Sequence, residues 1–234
     1  MTTGNKSVLI IGATGALGLQ LLRHLAKNSR IEEVHIMART PSKLHSTDQA
    51  LAASVQKGNA RDSNDVENSL RDSKANYVIL ATGNGHDVSK SDTREATGRA
   101  LASVLKKSEF STVQAVIMSS HGVAETNVII GFGLGMLLSY YLRNVFADHE
   151  NQEAEFDRLK KRTLVVRPSS LTDDKAIGNL DYIVEFDGIK KGPSISIDRS
   201  DVAAWVTREI ASSKASIGGR KVCLTNAKKI PKTL

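Results

Sequence analysis

Short apolar runs alternate with amphipathic segments along most of the chain. The apolar runs predict strands at 7–11, 34–37, 54–56, 77–81, 113–119, 163–166 and 221–224. Between them, apolar residues recur at helical spacing and predict helices at 16–28, 64–71, 92–107, 136–161 and 199–212. Strands that alternate with helices in this way predict a parallel sheet with helices on both faces.

The length and the order of these segments indicate one domain. A chain of 234 residues is within the range that a single α/β domain often spans. Residues 168–197 break the pattern with Gly178, Gly188, Gly192 and Pro193, so we interpret them as a small irregular cap over the carboxyl edge of the sheet. The fold class is therefore α/β, a single doubly wound domain of Rossmann type over 1–234 with a mostly parallel sheet of about seven strands.

Composition narrows the functional classes. The net charge is +7, but Lys and Arg are spread along the chain, so we do not expect nucleic acid as a partner. Cys223 is the only cysteine, which fits a reducing compartment, and the first apolar run is too short for a secretory signal. We therefore expect a cytoplasmic protein. The six histidines show no metal-ligand spacing, so no metal site is expected.

A glycine-rich loop joins the first strand directly to the first helix. It consists of Gly12, Ala13, Thr14, Gly15, Ala16, Leu17 and Gly18. In such a loop the first glycine permits a tight turn, the second lets the backbone approach a pyrophosphate, and the third allows close helix packing. The free N–H groups of the helix then hold the anion, so the loop predicts a dinucleotide site.

The end of the second predicted strand indicates which dinucleotide binds. NAD sites usually carry an acid here to hold the ribose hydroxyls, but no Asp or Glu occurs between Glu33 and Asp48. Arg39 and Thr40 stand at this position and Lys43 follows, and a guanidinium suits the additional phosphate of NADP. We expect NADP(H), with NAD(H) as the alternative.

The order of the motifs resembles the atypical short-chain dehydrogenase/reductases, in particular the NmrA-like proteins and the flavin reductase/biliverdin reductase B branch. The motifs are the glycine loop, Met37-Ala38-Arg39-Thr40, Gly58-Asn59-Ala60-Arg61-Asp62, Ala81-Thr82-Gly83, Met118-Ser119-Ser120, Val166-Arg167-Pro168, and Asp198-Arg199-Ser200-Asp201. The resemblance implies that Asn59 and Ala60 contact adenine and that Ala81, Thr82 and Gly83 pass the ribose and pyrophosphate. It also implies that Ser119 contacts the cofactor and that Arg167 and Pro168 lie near the nicotinamide.

The proton donor typical of that superfamily is absent. It is a Tyr-x-x-x-Lys pair in which the lysine lowers the tyrosine pKa. The residues four positions after the four tyrosines are Ala81, Asn144, Val145 and Phe186, so no such pair exists. A Gly-x-Ser-x-Gly elbow for serine hydrolysis is absent as well.

Three functions remain open. In the first, a reductase passes hydride to a small-molecule acceptor such as a flavin, a quinone or a carbonyl compound. Ser119, Ser120 and His121 would then orient the acceptor, and His149 is a second candidate proton donor because Asp148-His149 resembles the Asp-His of the flavin reductase branch. In the second, a non-catalytic redox sensor binds NADP(H) and acts through a protein partner. In the third, a chaperone or assembly factor uses the cofactor only for stability.

Residues 126–142 carry no charge, and their length is marginal for a spanning helix. Glycines and polar residues weaken that interpretation. We favour a wall or lid of the acceptor pocket, and buried core or a contact with a membrane or a protein partner are the alternatives.

Overall fold

Eight strands form the main sheet of the computed structural model, which describes residues 6–85, 87–126, 133–174, 176–180, 183–186, 194–213 and 216–227. The strands are β1 (Ser7–Ile11), β2 (Glu33–Ala38), β3 (Ser54–Lys57), β4 (Tyr77–Leu80), β5 (Gln114–Met118), β6 (Thr163–Pro168), β8 (Ile183–Phe186) and β10 (Arg220–Asn226). Their order is β3-β2-β1-β4-β5-β6-β10-β8, and only the β10–β8 pair is antiparallel. Strands β7 (Ser170–Thr172) and β9 (Ser196–Asp198) form a separate parallel pair.

Seven helices accompany the strands in the described part of the chain. They are α1 (Ala16–Ala26), α2 (Ser46–Gln49), α3 (Ser63–Ser73), α4 (Thr93–Leu105), α5 (Leu134–Tyr141), α6 (Arg143–Ala154) and α7 (Arg199–Ala211). Helices α1 and α7 pack together on one face of the sheet, and α3, α4 and α6 pack on the other. The doubly wound α/β fold is therefore confirmed.

Alternate residues of the central strand β1 pack into two separate hydrophobic cores. Val8 and Ile10 point to the core under α1 and α7, whereas Leu9 and Ile11 point to the core under α3 and α4. All four side chains are buried. A central parallel strand needs apolar residues on both faces, which explains its uninterrupted apolar sequence.

Two details differ from the sequence prediction. The main sheet has eight strands instead of about seven, because β8 from the predicted cap region adds to the outer edge of β10. The predicted helix over 136–161 is divided at Leu142 into α5 and α6, and a 3-10 turn follows from Asp157 to Arg162. The cap region 168–197 thus contributes partly to the sheet, and several of its residues are outside the described ranges.

The strand order places the glycine loop where the sheet topology reverses. From β1 the chain winds outward through β2 and β3, and then returns to β4 on the other side of β1. In doubly wound sheets ligands bind at this switch point, beyond the carboxyl ends of the strands.

Candidate cofactor and acceptor site

The glycine loop closes tightly against the end of β4. Gly12 has a φ of +103°, and a Cβ there would lie 2.6 Å from the carbonyl oxygen of Ala81. A Cβ on Gly18 would lie 2.8 Å from Cα of Ala13 and would clash with the Gly12 carbonyl. A Cβ on Gly15 would meet only the Gly12 oxygen, at 3.5 Å, because this residue faces open space. The loop is thus packed at its first and third glycines and open at its second.

The open glycine is also the N-cap of α1. No side chain caps this helix, and its first turn contains no acidic residue. The N–H groups of Ala16, Leu17 and Gly18 are in the first turn, where a helix supplies no carbonyl partner. These N–H groups and the helix dipole favour an anion at the start of α1.

A cleft of about 200 Å³ extends from this helix start across the ends of β1, β2 and β4. Eleven predicted cofactor residues line it: Gly12, Thr14, Gly15, Arg39, Thr40, Lys43, Asn59, Ala60, Ala81, Thr82 and Gly83. Ile11, Met37, Ala38, Gly58, Arg61, Thr93 and Thr97 complete the lining. Among these described lining residues there is no carboxylate, so the cleft is suited to a polyanion.

Two of the lining cations are available to a ligand. In the described part of the chain, the side chains of Arg39 and Lys43 form no hydrogen bond or ion pair. Arg61 differs, because its guanidinium forms hydrogen bonds of 2.6 and 3.1 Å to the carboxylate of Asp92. Arg39 and Lys43 are therefore the groups that could hold a phosphate at the end of β2.

Three polar lining residues were not predicted from the sequence. Arg61 and its partner Asp92 connect the loop after β3 to the start of α4, next to Thr93. Thr97 on α4 shares a 2.7 Å hydrogen bond with Thr82. Arg61 lies within the motif that pointed to Asn59, whereas no local pattern marks Thr93 or Thr97.

A model of the NAD(P)H-binding family matches residues 12–213 of this chain. The chain belongs to this NAD(P)H-binding family. The match begins at Gly12 and ends after α7, so it covers the glycine loop, the cleft and both helix layers. A comparison with curated protein sequences gave no match.

Solved structures of reductases and dehydrogenases share the fold. The anaerobilin reductase of Escherichia coli has 17% identity and a TM-score of 0.68, with 97% of this chain and 100% of that chain covered. A short-chain dehydrogenase/reductase of Veillonella parvula, in complex with NADP, has 12% identity and a TM-score of 0.71, covering 97% and 99%. A candidate NADH–flavin reductase of Streptococcus pneumoniae has 14% identity and a TM-score of 0.67, covering 95% and 100%. These likenesses and the family match confirm the resemblance to NAD(P)-binding Rossmann proteins.

The residues of the cleft fit such a dinucleotide. The open face of Gly15 leaves room for a pyrophosphate against the start of α1, and the cations after β2 face the same cleft. Four predicted cofactor residues of the glycine loop are outside the lining: Ala13 and Gly18 are buried, and Ala16 and Leu17 lie in the first turn of α1. The predicted role of these four residues through their backbone stays a prediction.

Ser119, Arg167 and Pro168 lie at the ends of β5 and β6, outside the lining of the cleft. Arg167 is 1% exposed, and its guanidinium donates to Glu153 on α6 at 2.6 and 2.9 Å. The same carboxylate accepts a 2.6 Å hydrogen bond from the hydroxyl of Ser119. Glu153 therefore connects the side chains of Ser119 and Arg167, two of the predicted cofactor residues, to α6.

The charge of Glu153 is stabilised by its donors. Burial by itself would raise the pKa of this carboxyl group, but the hydrogen bonds from Arg167 and Ser119 outweigh burial and lower the pKa below its ordinary value. Lys221 on β10 adds a contact of 3.2 Å to the same carboxylate. Glu153 is thus an ionised centre that connects β5, β6, β10 and α6.

Ser120 and His121 follow β5 and lie closer to the surface. The hydroxyl of Ser120 donates to the carbonyl of His121 at 3.0 Å, and the N–H of His121 donates to the carbonyl of Pro168 at 2.9 Å. The His121 ring packs edge-on against Phe186, with 5.1 Å between the ring centroids. Both residues are partly exposed at the carboxyl edge of the sheet.

His149 lies on α6 and is buried, and α6 packs against α4. Burial, and then the charge of Arg94, lower the pKa of His149 well below its ordinary value, so the ring is neutral at physiological pH. The neighbouring Asp148 accepts hydrogen bonds from the N–H groups of Arg94 and Glu95 and so caps the start of α4. The catalytic role of His149 stays a prediction, and its buried position does not favour exchange of a proton with solvent.

Helix α5 comes from the uncharged segment 126–142, of which 127–132 lie outside the described residues. Large apolar side chains on this helix are exposed, Met136 at 80% and Leu137 at 68%. The buried-core interpretation is therefore wrong for α5, whereas the pocket wall and the partner or membrane contact stay predictions. Among the described residues, no helix has the length and apolar character needed to cross a membrane.

Proposed function

We propose that this chain is an NADPH-dependent reductase that transfers hydride to a flavin, a quinone or a small carbonyl compound. The observation that carries the cofactor preference is the end of β2, where Arg39 and Lys43 face a cleft without a lining carboxylate. A ribose bearing only hydroxyl groups needs an acceptor such as Asp or Glu, whereas a 2′-phosphate needs cations. The side chains at this end of the cleft thus favour NADPH over NADH.

Different residues of the chain bind different parts of the cofactor. The first turn of α1 holds the pyrophosphate, Arg39 and Lys43 hold the 2′-phosphate, and Asn59 and Ala60 border the adenine. Ala81, Thr82 and Gly83 border the ribose and the pyrophosphate. When bound, NADPH supplies the hydride. The chain itself orients the cofactor and provides a cleft whose positive charge is complementary to the phosphates.

The acceptor is proposed to lie beyond β5 and β6, next to Ser120 and His121. These residues stand at the carboxyl edge of the sheet, where ligands of doubly wound folds gather. The buried hydrogen bonds from Ser119 and Arg167 to Glu153 hold the ends of β5 and β6 against α6. Acceptors such as flavins and quinones can take their proton from solvent, which agrees with the missing Tyr-x-x-x-Lys pair. The flavin and anaerobilin reductases among the structural neighbours support an acceptor of this kind.

A second candidate function is an NADP(H)-binding redox sensor. Two observations favour it, the absent proton-donor pair in the sequence and the exposed apolar side chains of α5, which suit a protein partner. A sensor would bind NADPH and pass no hydride to any acceptor.

The test is to measure the affinities for NADPH and NADH and then to follow cofactor oxidation with flavins, quinones and small carbonyl compounds. We expect tighter binding of NADPH and oxidation by at least one acceptor class. Ser120→Ala and His121→Asn should then raise the KM for the acceptor and leave NADPH affinity unchanged. Tight binding of NADPH without oxidation by any member of the panel would favour the sensor over the reductase.

A further inference from the structure

A second cavity lies between the C-terminal ends of α1 and α7, and we call it the α1–α7 cleft. Its volume is about 630 Å³, which is within the range of small-molecule pockets. Helix α1 begins at the glycine loop, and His24 is eight residues after its first residue and lines this cleft, so the cleft is about 12 Å from the start of the helix. It is therefore separate from the cofactor cleft.

The side chains around the α1–α7 cleft are strongly basic. Lys27, Arg30 and Arg208 line it together with His24, and the described lining contains no Asp or Glu. Within the described residues, the side chains of Lys27 and Arg208 have no hydrogen-bond or ion-pair partner. Two cations facing one cavity without a carboxylate favour an anionic ligand.

The ends of the two helices would oppose an anion if their carbonyl groups were bare, since a helix C-terminus carries partial negative charge. For α7 these carbonyls are engaged by cations. The ammonium of Lys6 donates to the carbonyl of Ile210 at 2.6 Å and also to that of Ser212. Arg30 approaches the carbonyl of Ala211 at 3.5 Å. Lys27 and Arg208 are therefore not used to neutralise the end of α7, and their positive charge can act on a ligand.

A buried hydroxyl and an apolar wall complete the α1–α7 cleft. Thr207 lines the cavity and is only 4% exposed, and its Oγ1 has no partner among the described residues. A buried hydroxyl without a hydrogen bond is unfavourable, so a ligand oxygen here would be stabilised. Leu180, Ala204 and Ala211 provide apolar contact on the same lining. We propose that the α1–α7 cleft binds a small phosphate monoester with an apolar body.

This site does not depend on the proposed reductase activity, because it shares no lining residue with the cofactor cleft. The direct test is calorimetric titration with phenyl phosphate in the presence of saturating NADPH, which fills the anion site at the start of α1. The titration should extend to about 20 mM, since a small ligand with few contacts binds in the millimolar range. Lys27→Gln and Arg208→Gln should each weaken binding about tenfold, as expected for the loss of one charge-assisted contact.

Arg158→Gln is the matched control, because this exposed arginine lies in the turn after α6 and its replacement changes the net charge equally. The control should bind phenyl phosphate as the wild type does. Thr207→Val, of similar size, should weaken binding without lowering the unfolding temperature, because the hydroxyl has no partner to lose. Absence of binding, or equal weakening in the Arg158 control, would overturn the proposal, as would a Thr207→Val protein that binds normally.

Discussion

An alanine at Gly15 should weaken cofactor binding at a small cost in stability, whereas an alanine at Gly18 of the same loop should mainly destabilise the fold. Gly15 has φ −82° and ψ 158°, which an alanine adopts without strain, and an added Cβ would meet only one atom, at 3.5 Å. The expected cost in folding free energy is the small loss of a glycine N-cap, about 0.5–1 kcal/mol. For a domain of this size such a loss lowers the unfolding temperature by about 1–4 °C.

The same methyl group would occupy the space in which the pyrophosphate meets the start of α1. We therefore expect Gly15→Ala to weaken NADPH binding by tenfold or more, roughly the 1.5–3 kcal/mol of one or two charge-assisted hydrogen bonds. Gly18→Ala is the control, because its Cβ would lie 2.8 Å from Cα of Ala13 inside packed backbone. It should destabilise the fold by about 1–3 kcal/mol, as overpacking does.

Thermal unfolding and fluorescence titration of NADPH on both variants provide the assay. A Gly15→Ala protein that binds NADPH like the wild type would refute the proposed position of the pyrophosphate. A Gly18→Ala protein of unchanged stability would refute the packing argument for the third glycine.

Three further predictions concern single side chains. Arg39→Ala should weaken NADPH binding about 10–100-fold and leave NADH within about threefold, and equal losses for both cofactors would exclude a contact with the 2′-phosphate. Glu153→Gln should lower stability at pH 7 by about 1–3 kcal/mol, because Arg167 would lose its buried counter-ion and keep only its ion pair with the more exposed Glu125. Folding lowers the pKa of Glu153, so the ionised carboxylate stabilises the fold fully above the unfolded pKa of about 4.3. This stabilisation is lost as the pH falls through the folded pKa. The free energy of unfolding of the variant should therefore fall less steeply with decreasing pH than that of the wild type. His149→Asn should leave the pH dependence of kcat unchanged between about pH 6 and 8, because the lowered pKa keeps the ring neutral there; loss of a kinetic break in the variant would identify His149 as the proton donor.

Regular elements with a strong local pattern could be predicted from the sequence. The first strand was predicted with the bounds 7–11, and α7 was predicted to begin at Arg199, as the structure shows. Short polar residues cluster at the starts of α3 and α7, and among them Asp62 and Asp198 are the capping residues, each accepting at 2.8 Å from the N–H two positions on. Any of these short polar side chains can cap, so the sequence could not choose between neighbours.

Elements that depend on distant partners could not be predicted. Strand β8 has only four residues in a glycine-containing stretch, and it is a strand because β10 pairs with it. In the same way, Arg167 was expected beside the nicotinamide from its motif alone. Its buried partner Glu153 lies on a different element, and no periodicity connects an arginine on a strand to a carboxylate on a helix.

The cofactor cleft was the most predictable part of the site, because the glycine loop and the end of β2 carry their chemistry in consecutive residues. The walls contributed by α4 were missed, since Thr93 and Thr97 reach the cleft only through the packing of that helix. The α1–α7 cleft joins positions about 180 residues apart in the chain, such as Lys27 and Arg208, so only the folded structure reveals it.

The most direct test of the proposed cofactor position is a crystal structure of the protein with NADPH. We expect the pyrophosphate against the N–H groups of residues 16–18, and the 2′-phosphate within hydrogen-bonding distance of the Arg39 guanidinium. A cofactor bound elsewhere, or a 2′-phosphate turned to solvent away from Arg39 and Lys43, would contradict it.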